Sequence, residues 1–96
     1  MDAHYVRAVF DIDCNWHGRP PVYRVYVNDE LFTEREWIWG TNVYVTQTLQ
    51  MQAPSGKYTV RVEPVNSDHA SISTRNHRIE YGPARWQKQH KIIIQP

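Results

Sequence analysis

The sequence is poor in cysteine, in strong helix formers and in long apolar segments, and each shortage excludes a class of protein. A single cysteine excludes a disulfide framework within the chain. Only five alanines and two leucines are present, which argues against a helical body. No apolar run approaches the roughly 20 residues that a membrane-spanning helix needs. Residues 1–5 show no basic region followed by an apolar stretch, so we expect neither a membrane partner nor a signal peptide.

Neither sign of charge prevails. Eleven basic residues stand against ten acidic residues, which leaves a net charge of +1. A dedicated nucleic-acid binder concentrates a basic excess on one face, so we expect no nucleic-acid partner. Hydrophobic residues make up 41% of the 96 residues, which is enough to build a core. We expect a single domain over residues 1–96.

β-Branched residues dominate what is present. Valine, isoleucine and threonine together number 23, and their restricted χ1 angles suit a pleated strand. Period-two alternation of apolar and polar side chains marks a series of half-buried strands. These segments cover residues 4–13, 22–27, 31–39, 43–52, 58–62, 70–81 and 88–95. The pattern predicts an all-β fold, an antiparallel two-sheet sandwich, immunoglobulin-like or jelly-roll-like, of about seven short strands.

Six prolines and four glycines help to divide these segments. Residues 28–30 (Asn-Asp-Glu) tolerate positive φ and are predicted to close a hairpin. Residues 54–57 (Pro-Ser-Gly-Lys) give a further turn signal. Other breaks are expected at residues 14–21, 40–42, 66–68 and 82–83.

The segment 70–81 contains a conflict of parity. Ile72 and Ile79 are an odd number of residues apart, so they cannot face the same side of a regular strand. Either a β-bulge near residues 75–77 resets the register, or the segment is two short strands.

Two tryptophans at alternate positions support a second functional reading. Trp37 and Trp39 project from one side of a strand, and if exposed they would form a platform for stacking sugar rings. The opposite side carries two glutamates, and charges seldom face a core unpaired. We therefore favour the tryptophans as core residues and keep a carbohydrate-binding module, with a glycan as ligand, as the alternative.

Three further motifs are weak. Asp11 and Asp13 share a strand face, as calcium ligands would, but no cluster of close acids with a glycine accompanies them. The Cys14-x-x-His17 spacing lacks the second pair that a zinc site needs. No glycine-rich phosphate loop and no strained turn presenting Cys14 as a nucleophile occur. We expect no enzymatic activity, no cofactor and no metal.

The polar composition favours an interface. Arginines outnumber lysines eight to three and accompany six tyrosines and four tryptophans, a bias found at protein interfaces. Pairing of arginines with acids across strands is the alternative explanation. An uncharged polar row, Thr46, Thr48, Gln50 and Gln52, also suits contact with another protein.

Four segments carry a resemblance. Residues 11–18, 20–28, 37–39 and 82–85 (DIDCNWHG, PPVYRVYVN, WIW and GPAR) resemble small uncharacterised β-rich proteins of tailed phages that infect marine cyanobacteria. The resemblance spans most of the chain and implies a phage gene product, with the virion as its location after synthesis in the host cytoplasm. It implies no catalytic residue.

The resulting expectation is a non-enzymatic, protein-binding structural module. The resemblance favours a minor virion protein, either a head-decoration subunit or a neck or tail accessory subunit. Its partners would be other virion proteins or copies of itself. Loop position and residue type indicate the expected contacts, which are Trp16, His17, Arg19, Arg85, Trp86 and the two chain termini.

Overall fold

A computed structural model describes residues 3–39, 43–65 and 70–96 of the chain. Met1, Asp2 and the breaks expected at 40–42 and 66–68 lie outside these residues. The described residues form eight strands. They are β1 Ala3–Trp16, β2 Val22–Val27, β3 Glu30–Glu36, β4 Tyr44–Pro54, β5 Gly56–Pro64, β6 Ala70–Tyr81, β7 Ala84–Gln87 and β8 Lys91–Ile94.

The strands form two antiparallel sheets, which confirms the predicted all-β sandwich. One sheet has three strands in the order β4-β1-β6, and the other has five in the order β3-β2-β5-β8-β7. Strand β1 has 14 residues, which at about 3.3 Å per residue is roughly 46 Å. The molecule is 47 Å long, so β1 runs along almost its entire length.

One hydrophobic core lies between the sheets. Strand β1 supplies its alternate side chains to it, namely Val6, Ala8, Phe10, Ile12 and Cys14. The five-stranded sheet and the connections add Tyr23, Val25, Trp37, Val60, Ile92 and Ile94, and β4 adds Leu49. Period-two alternation thus places the apolar residues on the inner sides of both sheets.

Strand boundaries differ from the prediction at both ends of the chain. Strand β1 continues through Cys14, Asn15 and Trp16, which were expected in a loop, because these residues pair with the start of β6. The predicted strand 88–95 is shorter, and an unpredicted strand, β7, pairs with it to form a hairpin. Lys88 adopts a φ of 59° in the connection, which reverses the chain there.

The hairpin predicted at residues 28–30 is confirmed at its first two positions. Asn28 and Asp29 have φ values of 52° and 66° between β2 and β3. Two consecutive positive φ angles are the mark of a turn whose twist matches that of the flanking strands.

The parity conflict in β6 is resolved by a bulge. Ile72 lies opposite Cys14 and Ile79 lies opposite Ala8, so seven steps along β6 match six along β1. The register shifts between the partners of Val9 and Asp11, where Asn76 has a φ of 59°. Both isoleucines therefore pack against the core despite their odd separation.

Candidate protein-binding face

The side of the three-stranded sheet that is turned away from the five-stranded sheet is called here the outer face. Strand β1 contributes to it the residues that alternate with its core positions. Across β4 and β6 the register brings polar and aromatic neighbours alongside them. The residues of the outer face are Tyr5, Arg7, Val9, Asp11, Asp13, Tyr44, Thr46, Thr48, Gln50, Gln52, Ser73, Arg75, Arg78 and Tyr81.

A buried carboxylate lies at the centre of the outer face. Asp11 is only 2% exposed. It accepts hydrogen bonds from Thr46 Oγ1 at 2.9 Å and from Asn76 Nδ2 at 3.0 Å. Arg78 Nη1 lies 3.5 Å from Asp11 Oδ1. All three strands of the sheet are thus joined through one side chain.

These partners control the charge of Asp11. Burial by itself raises the pKa of the carboxyl, because the charged form loses water. The hydrogen bonds from Asn76 and Thr46 and the charge of Arg78 outweigh it, so the pKa of Asp11 lies below its ordinary value. Asp11 is therefore charged at neutral pH, and the groups of the sheet around it compensate its charge.

Exposed tyrosines flank this centre. Tyr5 is 38% exposed, Tyr44 55% and Tyr81 61%. The rings of Tyr5 and Tyr81 are in contact, with centroids 5.6 Å apart. Three phenol side chains on one sheet surface offer apolar area and hydrogen-bonding groups together.

Arginines hold two of these tyrosines in place. The guanidinium of Arg75 lies over the Tyr44 ring at 4.8 Å and makes an ion pair with Asp13 at 3.3 Å. Arg7 lies 5.9 Å from the Tyr5 ring centroid, and its Nη2 donates to the Tyr5 hydroxyl at 3.3 Å. Stacking on a planar cation restricts each ring without covering it fully.

The outer side of the five-stranded sheet has a different character. Its charged residues form ion pairs, as Arg24 of β2 does with Glu34 of β3 at 2.5 Å and Arg61 does with Glu63 of the same strand at 3.2 Å. Tyr26, beneath Arg61, is half-buried. Such a surface is typical of a solvated face, because exposed ion pairs add little binding energy.

The first predicted contact region is divided between strand and loop. Trp16 is the last residue of β1, where it pairs with Ala70 and packs half-buried against the core. The prediction that it lies in a loop is therefore wrong. His17 and Arg19 follow it and are exposed.

The second predicted contact region lies elsewhere. Trp86 in β7 is half-buried, with its ring 5.8 Å from Phe10, and it donates from Nε1 to the Arg78 carbonyl at 2.9 Å. Arg85 beside it is exposed. Phe10 precedes Trp16 by six residues in β1, or about 20 Å. The two predicted regions do not meet in one patch.

The tryptophans of the glycan-binding alternative do not form an exposed platform. Trp37 is fully buried, as we favoured, and its ring makes edge contact with Tyr23. Trp39 is half-buried and meets Trp37 at 81°, with Arg35 over its own ring. Neither a common plane nor two free ring faces is available to a sugar.

The side chains of the motifs that the sequence showed to be weak have other contacts. Asp11 and Asp13 do share a face, but their carboxylates contact Thr46, Asn76 and two arginines. Cys14 is buried in the core, where burial raises the pKa of its thiol. Over the described ranges, no group of three or more His, Cys, Asp and Glu side chains is placed to hold a metal ion.

A cavity of about 350 Å³ opens between the sheets beside β5 and β6. Phe10, Val60, Ile72 and His77 line it, and His90 lies at its rim. The His77 ring stacks on Phe10 with centroids 5.6 Å apart. Burial lowers the pKa of His77, although the negative charge of Asp11 opposes this shift.

Sequence reasoning missed most of the outer face. The row Thr46, Thr48, Gln50 and Gln52 was recognised, but Tyr5, Tyr44, Tyr81 and their arginines were not. Alternation did place Tyr44 on the polar side of its strand. Its contact with Arg75 depends on the strand order β4-β1-β6, and the alternation of residues within one strand does not reveal that order.

Comparison with models of known protein families, with curated protein sequences and with solved structures gives no match for this chain. The outer face therefore has to be interpreted from its own chemistry.

Proposed function

We propose that the chain is a non-enzymatic structural module that binds another protein through the outer face. The observation that supports this most directly is the set of three exposed tyrosines, two of them stacked with arginines. Tyrosine and arginine are enriched where proteins bind each other, and both contribute strongly to binding energy.

The centre of the face favours a firm contact. The charge of Asp11 is already compensated by hydrogen-bond donors within the sheet, so a partner that covers it does not leave an unpaired carboxylate in a buried site. Burying an unpaired charge would oppose binding. The neighbouring row of β4 carries hydroxyls and amides, which exchange water for partner hydrogen bonds at lower desolvation cost than charges.

The ordering cost of binding is also small. Tyr44 and Tyr5 are already restricted by Arg75 and Arg7, so less side-chain entropy is lost when a partner arrives. The face lies on a sheet rather than on loops, which keeps its side chains in fixed register.

The setting we propose is a phage particle, with the chain as a minor head-decoration, neck or tail accessory subunit. This placement in a phage particle is supported by the resemblance of four segments, residues 11–18, 20–28, 37–39 and 82–85, to proteins of tailed phages. Repeated copies on a symmetric lattice would multiply contacts that are individually weak.

Mass spectrometry of purified particles of a phage that carries this gene tests the setting. The chain should be present after particles are banded and washed. Its absence from particles, with the chain still produced in infected cells, would contradict the virion assignment.

Incorporation of variants into those particles tests the face. Tyr44→Ala with Arg75→Ala removes one tyrosine–arginine pair of the outer face, and we expect particle-bound chain to fall at least tenfold. Tyr26→Ala with Arg61→Ala removes an equivalent pair from the other sheet and should leave incorporation unchanged. Equal losses in the two double variants would count against the outer face as the docking surface.

A further inference from the structure

The free edges of the two sheets are protected to different extents. An edge strand exposes unpaired N–H and C=O groups, and monomeric proteins protect these groups with charges, bulges, short strands or covering side chains. In the described residues the edge strands are β3 and β7 in one sheet and β4 and β6 in the other.

Three of these edges carry such protection. Four of the seven residues of β3 are charged, and β7 has only four residues. Strand β6 is bulged, and the indole of Trp86 covers the Arg78 carbonyl.

Strand β4 lacks these devices. It has 11 residues from Tyr44 to Pro54, none of them charged, and its only proline is at the end. Its pairing with β1 runs from Tyr44 to Pro54 without a register shift. Within the described ranges, no strand pairs with its other edge.

The core is also incompletely covered along β4. On its inner side, Val45, Met51 and Ala53 pack against the core but stay half-buried. One further strand beside β4 would cover these side chains and satisfy the free backbone groups at once.

We propose that a second copy of this chain supplies that strand, with β4 pairing antiparallel to β4 of the other copy about a two-fold axis. A two-fold axis places each surface against itself, so identical charges tend to oppose each other in such a contact. Strand β4 avoids this because it has no charge, whereas β3 would bring glutamates together.

The paired strands would form a continuous six-stranded sheet with the tyrosines of both copies on one side. Thr46, Thr48 and Gln50 would meet threonines and glutamines of the other copy, which form favourable cross-strand hydrogen bonds. The Gln47 amide now donates to the Thr48 carbonyl at 3.0 Å, and this contact would yield to the incoming strand. The pairing uses the backbone groups at the free edge of β4, whereas the proposed docking uses side chains of the outer face. The dimer and particle binding are therefore measured separately, although β4 contributes to both.

The mass of the full chain in solution tests the pairing, measured by light scattering and sedimentation from low micromolar to submillimolar concentration. We expect a dimer that dissociates on dilution. Thr48→Lys places a charge in β4 and should raise the dissociation constant at least tenfold. Ser73→Lys adds the same charge to the outer face on β6 and should leave the dimer intact.

Gln52→Lys serves as a second variant of β4 if circular dichroism shows that Thr48→Lys does not fold. A wild-type chain that is monomeric throughout would overturn the proposal. So would a dimer that both β4 variants leave intact, or one that Ser73→Lys weakens equally. Hydrogen exchange should show protection of β4 amides that rises with concentration. A wild-type dimer whose binding to particles is unaffected by Tyr44→Ala with Arg75→Ala would instead count against the outer face alone.

Discussion

The side-chain amide of Asn76 donates to Asp11 Oδ2 at 3.0 Å, although 65 residues separate the two in the chain. The contact depends on the bulge in β6, because Asn76 occupies the inserted position with a φ of 59°. Asparagine tolerates this conformation better than most residues. One irregularity therefore both keeps the isoleucines of β6 on the core side and supplies a donor to the buried carboxylate.

The first prediction concerns this carboxylate. Asp11→Ala removes a buried carboxylate that accepts from Thr46 and Asn76 and should lower the free energy of unfolding by about 2–3 kcal/mol, as for hydrogen bonds to a charged group. Asp13→Ala, two residues away, removes only a partly exposed ion pair with Arg75 and should cost about 1 kcal/mol or less. Urea denaturation of both variants measures the difference, and equal losses would show that Asp11 does not organise the sheet.

The second prediction concerns pH. Burial holds the pKa of His77 below its ordinary value in the folded protein. The contribution of His77 to stability is therefore complete above about pH 6.5, the pKa of the unfolded group, and declines as the pH falls below it. Thermal melts between pH 7 and pH 5 should show this decline.

His77→Phe keeps an aromatic ring against Phe10 and should flatten this part of the pH profile. His90→Phe makes the same change at an exposed position. A profile that is flattened by the His90 variant and unaffected by the His77 variant would refute the assignment.

The third prediction compares two glycines with positive φ. A Cβ at Gly82 would collide with the Tyr5 carbonyl and lie 3.0 Å from Val6 Cα, and both of these atoms belong to the backbone rather than to a flexible side chain. At Gly18 a Cβ would meet nothing within 4 Å. We expect Gly18→Ala to cost about 1 kcal/mol through φ alone and Gly82→Ala to cost about 3 kcal/mol or more. Chemical denaturation of the two alanine variants tests this order. A larger loss of stability in Gly18→Ala than in Gly82→Ala would contradict the prediction.

The fourth prediction separates the core from the surface near the end of β3. Trp37 is fully buried, whereas the adjacent Ile38 is 71% exposed. Trp37→Ala should lower the free energy of unfolding by about 3–5 kcal/mol, because it leaves a large cavity. Ile38→Ala should change it by about 0.5 kcal/mol or less. Similar small effects at both positions would mean that Trp37 does not fill the core.

Much of the fold follows from local patterns, and the failures occur where a segment is too short or where a distant partner decides. The alternation of Val6, Ala8 and Phe10 predicted the inner side of β1 correctly. Strand β7 was missed because four residues are too few to show a period. The end of β1 was misplaced because Trp16 is held by pairing with Ala70, a partner that the neighbouring residues do not reveal.

The sequence alone determined that this chain is a β-sandwich and which side of most strands meets the core, because side-chain direction alternates along a strand whatever lies beside it. It also required an irregularity between Ile72 and Ile79. Only the tertiary structure decided that β4, β1 and β6 are neighbours, and with this that Tyr44 meets Arg75 and Asn76 meets Asp11. Strand order is set by the burial of the whole chain, so contacts between distant segments belong to the folded molecule and not to any stretch of its sequence.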